Sequence, residues 1–145
     1  MKKNKKTIKK LIAIKENTFG TTLNLFIGHT FNELNNKLKQ CGFGELEEDN
    51  KNSLGTSFIL YKEYSSNPYH TIWLPIKDWT LKTQAVLAHE LIHFILSATN
   101  KKGIKIINKP NYDNETFAYL YEYFFYESSC KIDDLFRGKT KKTIK

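Results

Sequence analysis

The apolar positions change period along the chain, and each change marks an element. From Thr22 to Ile27 they alternate, with Leu23, Leu25 and Ile27 on one side, which predicts a strand. From Thr30 the spacing turns helical. Phe31, Leu34 and Leu38 share one face, Thr30 is a capping residue and Gly42 supplies a stop. Residues 45–54 carry Glu45, Glu47, Glu48 and Asp49 and read as an exposed loop. Two β-rich runs follow, Ser57 to Glu63 and His70 to Ile76. The Ser65-Ser66-Asn67-Pro68 stretch between them is turn chemistry, so the pair predicts a hairpin.

A long helix is predicted next, over about Leu81 to Thr99, capped by Asp78 or Thr80 and ended by Asn100 with Gly103. Its middle, Val86 to Leu96, is apolar nearly all round, which predicts burial on every side. Residues 101–112 form a connection. Asp113 or Asn114 then caps a last helix, reaching about Glu127 or a little beyond, that is crowded with aromatic residues from Phe117 to Tyr126. Strand, helix, hairpin, helix, helix is the order of an α+β domain with a small antiparallel or mixed sheet.

Composition narrows this picture without changing it. At 145 residues, with 40% hydrophobic and 14% aromatic side chains, the chain suits one domain with a real core. No apolar run approaches the roughly 18 residues of a transmembrane helix. Leu11 to Ile14 is about half the shortest useful signal-peptide core, so a cytoplasmic protein without a signal peptide is expected. Cys41 and Cys130 are too few for a disulfide scaffold and are expected to be buried free thiols in a reducing compartment.

The net charge of +8 is unevenly spread. Residues 1–15 hold seven lysines and no acid, and residues 137–145 hold five cations and no acid, which leaves residues 16–136 at −4. The expected organisation is a basic tail over 1–15, one domain over 16–136 and a second basic tail over 137–145. Such tails suit weak, salt-sensitive contact with nucleic acid or an acidic protein. With one arginine in the chain, specific base readout is not expected.

The chemistry-bearing motif is His89-Glu90-Leu91-Ile92-His93, an H-E-x-x-H. On a helix, residues i and i+4 lie one turn apart on the same face, so two imidazoles there can share one metal ion. Glu90 stands beside the first ligand and is placed to take a proton from a metal-activated water. By chance roughly six shuffled chains in a thousand would carry the motif, so its helical context matters. Zinc needs a third protein ligand. The positions after His93 are Phe94 to Lys102, which exclude the metzincin extension. Glu115, in the first turn of the last helix, is the foremost candidate; Asp113 and Glu122 are fallbacks, and His70 and His29 are weaker ones.

These residues carry a family resemblance. His89-Glu90-x-x-His93 followed by Asn114-Glu115-Thr116-Phe117-Ala118-Tyr119 resembles the gluzincin branch of the zincin metallopeptidases. More narrowly, it is similar to small metallopeptidases attributed to tailed bacteriophages and prophages. The resemblance covers about residues 70–127. It implies a minimal zincin-like domain binding one Zn2+ through His89, His93 and Glu115, with Glu90 as general base. It also implies that the strand before the motif helix, Thr71 to Leu74, is the edge to which a peptide adds as an extra strand. Larger gluzincins carry a whole second subdomain; with little sequence after the third-ligand helix, a shallow or open substrate cleft is expected here. The residue stabilising the oxyanion is open: Tyr119, one turn after Glu115, is the first choice, with Tyr112, Tyr123 and His70 as alternatives.

The functional expectation is a zinc-dependent metallohydrolase, a peptidase acting on a peptide or protein. The alternative is a non-catalytic binding or assembly module, with a structural or vestigial metal and basic docking tails.

Overall fold

The structure is a computed structural model that describes residues 7–103 and 115–138. It is α+β: a four-stranded mixed sheet with helices on both faces. The strands are β1 (Lys10–Glu16), β2 (Thr21–Ile27), β3 (Thr56–Leu60) and β4 (Tyr69–Leu74), in the spatial order β1-β2-β4-β3. β1 and β2 form an antiparallel hairpin, with Ile14 opposite Leu23. β2 and β4 are parallel, with Leu25 opposite Ile72. β3 and β4 form the predicted antiparallel hairpin, with Ser57 opposite Ile72. The helices are α1 (Phe31–Gln40), α2 (Leu81–Lys101) and α3 (Glu115–Arg137), and one 3-10 turn (Glu48–Asn50) interrupts the acidic loop.

Strand alternation sorts the core into two layers. Leu23, Leu25 and Ile27 of β2 and Ile72 and Leu74 of β4 face α2 and α3. They meet Leu87, Leu91, Phe94, Ile95, Leu120, Phe124 and Ile132 there. Phe26 and Trp73 point the other way, onto Phe31, Leu34, Leu38 and Phe43. α1 is held by the cap that its sequence foretold. Thr30 Oγ1 accepts from the Glu33 N–H at 3.2 Å, and Glu33 Oε1 accepts from the Thr30 N–H at 3.3 Å. α3 buries Leu120, Phe124, Ser128 and Ile132, a four-residue repeat down one face. Among the described residues no helix is long and apolar enough to cross a membrane.

Four expectations change. Residues 10–15, assigned to a flexible basic tail, belong to strand β1; the rest of that tail up to residue 6, and residues 139–145, lie outside the described residues. The strand was hidden by its composition: β1 is a sheet edge, and its lysines are what an edge strand carries. α3 runs on to Arg137, further than the expected end at or a little beyond Glu127, because its buried repeat continues to Ile132. β4 is not an edge. It lies between β2 and β3 with His70 to Leu74 all buried, whereas β3, half-buried throughout, is the edge on that side among the described residues. Finally, Cys41 and Cys130 are exposed thiols, not buried ones. Cys41 caps the end of α1, and Cys130 lies off the buried stripe of α3.

Candidate metal centre

α2 begins at a reciprocal cap between Thr80 and Thr83, in which Thr83 Oγ1 accepts from the Thr80 N–H at 2.8 Å. From there a turn of about 100° per residue sets the faces. Leu87, Leu91, Phe94, Ile95 and Ala98 point into the core, and His89, Ile92, His93 and Leu96 point outward. The helix is therefore not buried all round, as its composition suggested. It forms part of an outer layer with the sheet on one side only, so its remaining apolar residues, Ile92 and Leu96, reach solvent.

The two histidines converge on that outer face. His89 Nε2 and His93 Nε2 are 3.1 Å apart, with ring centroids at 4.8 Å and planes at 74°. Two imidazole nitrogens bound at ~2.0–2.1 Å to one tetrahedral ion stand about 3.3 Å apart. The pair thus fits two ligand positions of such an ion with a shift of a few tenths of an ångström.

Glu90, between them in sequence, turns a quarter of the helix away and is 8% exposed. Its side chain meets the start of β3. A Cβ at Gly55 would come within 3.3 Å of Glu90 Cγ and 2.6 Å of Val86 Cγ1. Glycine at 55 is what lets the edge strand descend onto the helix beside this carboxylate. Among the described residues no hydrogen bond or ion pair engages the Glu90 carboxylate. Its carboxylate oxygens are not among the enclosed side-chain atoms that lack a partner, so they stay open to solvent and to a ligand. Gly55 was not singled out from sequence; a glycine directly before a β-rich run is a mark of close backbone approach.

The other candidates are placed elsewhere. Glu115 is the first residue of α3 and is exposed. Among the described residues, no three His, Cys, Asp or Glu side chains are gathered as a metal site, so Glu115 is not brought together with the histidine pair. Asp113 and Tyr112 lie outside the described residues. Glu122 is exposed and borders a shallow surface hollow with Tyr119, Tyr123 and Tyr126.

Tyr119 donates its hydroxyl to Glu16 Oε1 at 3.1 Å, and Tyr123 donates to the Lys15 carbonyl at 2.8 Å, so both serve the β1–β2 corner. His29 is buried on the α1 face of the sheet, its ring edge-on to Phe26, on the far side from the histidine pair. His70 is buried beneath α2, edge-on to Phe94. Burial foremost, then the ammonium groups of Lys102 and Lys101, holds its imidazole below the ordinary pKa.

Comparison with known proteins gives no match to a family model, to a curated protein or to a solved structure.

Proposed function

We propose that the chain is a zinc-dependent metallohydrolase of the gluzincin type, acting on peptide bonds. The observation that carries this reading is the pair of histidine nitrogens 3.1 Å apart on one turn of α2, with an uncommitted buried glutamate between them in sequence. His89 and His93 would hold the ion, with Glu115 as the third ligand that the family resemblance implies. When bound, zinc supplies a more acidic water and a polarised carbonyl. Glu90 accepts the proton of the attacking water and returns it to the leaving amine. β3, the sheet edge among the described residues, offers itself to an extended peptide, and its start at Gly55 brings that edge beside Glu90.

One observation favours a second reading, a non-catalytic binding or assembly module docked through its basic tails: no third ligand is gathered among the described residues. Metal analysis and a peptidase assay separate the two. Wild type purified without chelator should carry about one zinc per chain, His93→Ala almost none, and Glu115→Ala much less than wild type. Glu90→Gln should keep the zinc and lose at least ~100-fold in hydrolysis. A chain that takes up no zinc makes the histidines surface residues and ends the peptidase reading. A zinc-loaded Glu90→Gln variant as active as wild type ends the proposed mechanism.

A further inference from the structure

A cavity of about 500 Å³ lies at the other end of the sheet, between the C-terminal end of α2, the start of β2 and the β3–β4 loop. Its wall contains Thr21, the first residue of β2, and His70, near the start of β4. Strand parity turns both side chains toward the α2 face, since Thr21 shares its side with Leu23 and His70 shares its side with Ile72. Both residues are more than nine-tenths buried, at 3% and 6% exposed, and both keep a polar atom without a partner among the described residues: Thr21 Oγ1 and His70 Nδ1. Six buried side-chain polar atoms of the described residues lack a protein partner, and these two are the ones whose residues line the cavity.

The rim is cationic. Lys101 and Lys102 both line the cavity, and none of its described lining residues is acidic. Their ammonium groups are drawn to opposite walls. Lys101 Nζ sits 5.5 Å from the centre of the Tyr61 ring, and Lys102 Nζ comes within 3.9 Å of where a Gly20 Cβ would stand. The carbonyls at the end of α2 oppose an anion with about half a negative charge, which two full positive charges outweigh. A hydroxyl, an imidazole and two ammonium groups around one hollow are complementary to an oxyanion.

We propose that this cavity is a binding site for a small oxyanion, the phosphate or carboxylate group of a ligand. Lys101 and Lys102 supply the charge, and Thr21 and His70 add hydrogen bonds once their side chains rotate to bring the enclosed Oγ1 and Nδ1 to the cavity. The site is separate from the histidine pair. Lys101 is eight residues beyond His93 along α2, about 12 Å of helix.

The test is titration of the full chain with inorganic phosphate and, separately, with acetate, at constant ionic strength against chloride, followed by NMR at the Thr21 amide and the His70 ring. Saturable shifts at both residues are expected, and the tighter of the two anions identifies the ligand class. The Lys101→Ala/Lys102→Ala double variant should weaken binding at least ~10-fold. Thr21→Val should weaken it ~5-fold, with Thr21→Ser close to wild type, which guards against misfolding of the valine variant. His89→Ala should bind as wild type does, which separates this site from anion capture by a bound metal. Shifts that do not saturate, that chloride reproduces, or that survive loss of both lysines would overturn the proposal and leave the cavity filled by water alone.

Discussion

At the residue scale, the most informative side chain outside α2 is Glu16. It is 1% exposed, yet it is fully engaged: Oε1 accepts the Thr18 N–H at 2.7 Å and Oε2 accepts the Phe19 N–H at 2.9 Å, while Tyr119 donates from α3. Burial raises its pKa, but the Phe19 and Thr18 backbone donors, with the Thr18 and Tyr119 hydroxyls, outweigh it and hold the carboxyl below its ordinary value. One carboxylate thus fastens the β1–β2 turn and ties α3 to it. Glu16→Ala should therefore destabilise the fold by ~2–4 kcal/mol, because four donors lose a charged acceptor. Tyr119→Phe removes only one of those bonds and should cost ~0.5–1.5 kcal/mol. Under the proposed peptidase reading, a Tyr119 that acts only at this corner leaves the phenylalanine variant with the wild-type rate. Urea midpoints and a peptidase assay on the two variants check both statements, and a large loss of activity in Tyr119→Phe without a loss of stability would return the hydroxyl to the reaction.

At the element scale, two glycines show how closely strands and loops are packed. Gly28 follows β2 and donates to the Leu74 carbonyl at 2.8 Å. Its φ is +75°, and a Cβ there would stand 1.8 Å from the Ile8 carbonyl oxygen. Gly28→Ala should unfold the chain or cost more than ~3 kcal/mol, through strain and collision together. At Gly55 the obstacle is side chains, Val86 and Leu74, so Gly55→Ala should cost about 1–3 kcal/mol and push β3 off Glu90. Thermal melts rank the two, and reversal of that order would contradict the packing described. The elements also show what the sequence could reveal. α1, α2 and the β3–β4 hairpin were legible because each carries its own period and its own cap or turn. β1 was not, because its lysine-flanked run owes its strand state to pairing with β2, a contact no local pattern encodes. The position of β4 was hidden for a similar reason: the order of strands in a sheet is a long-range property. At the candidate site the i, i+4 histidine pair was legible from spacing alone. The approach of Gly55 to Glu90 needed the sheet order first.

At the scale of the whole molecule, buried ionisable groups set how stability depends on pH. His29 and His70 lie on opposite faces of the sheet, and both are held below their ordinary value of 6.5. For His29, burial is the leading cause, then Lys37, with Lys9 in the same direction and Glu33 opposing. For His70 the causes are burial, then Lys102 and Lys101. Well above 6.5, folded and unfolded chains both keep these rings neutral, and stability does not change with pH. As pH falls through 6.5, the unfolded chain binds protons that the folded chain refuses, so stability declines. Glu16 contributes in a lower window. Its folded pKa lies below its ordinary 4.5, so the stability it contributes is complete above 4.5 and is lost as pH falls below it. The two declines have the same sign in different windows, which lets variants separate them. Denaturant unfolding of wild type should give a plateau above about pH 7, a first decline through 6.5 and a second below 4.5. His29→Gln/His70→Gln should remove the first decline and keep the second. Glu16→Gln should do the reverse, starting from a lower plateau because the turn donors lose their charged acceptor. A double-histidine variant that kept the decline near 6.5 would assign it to other groups, and the two layers of the core would then hold their histidines without any cost to protonation.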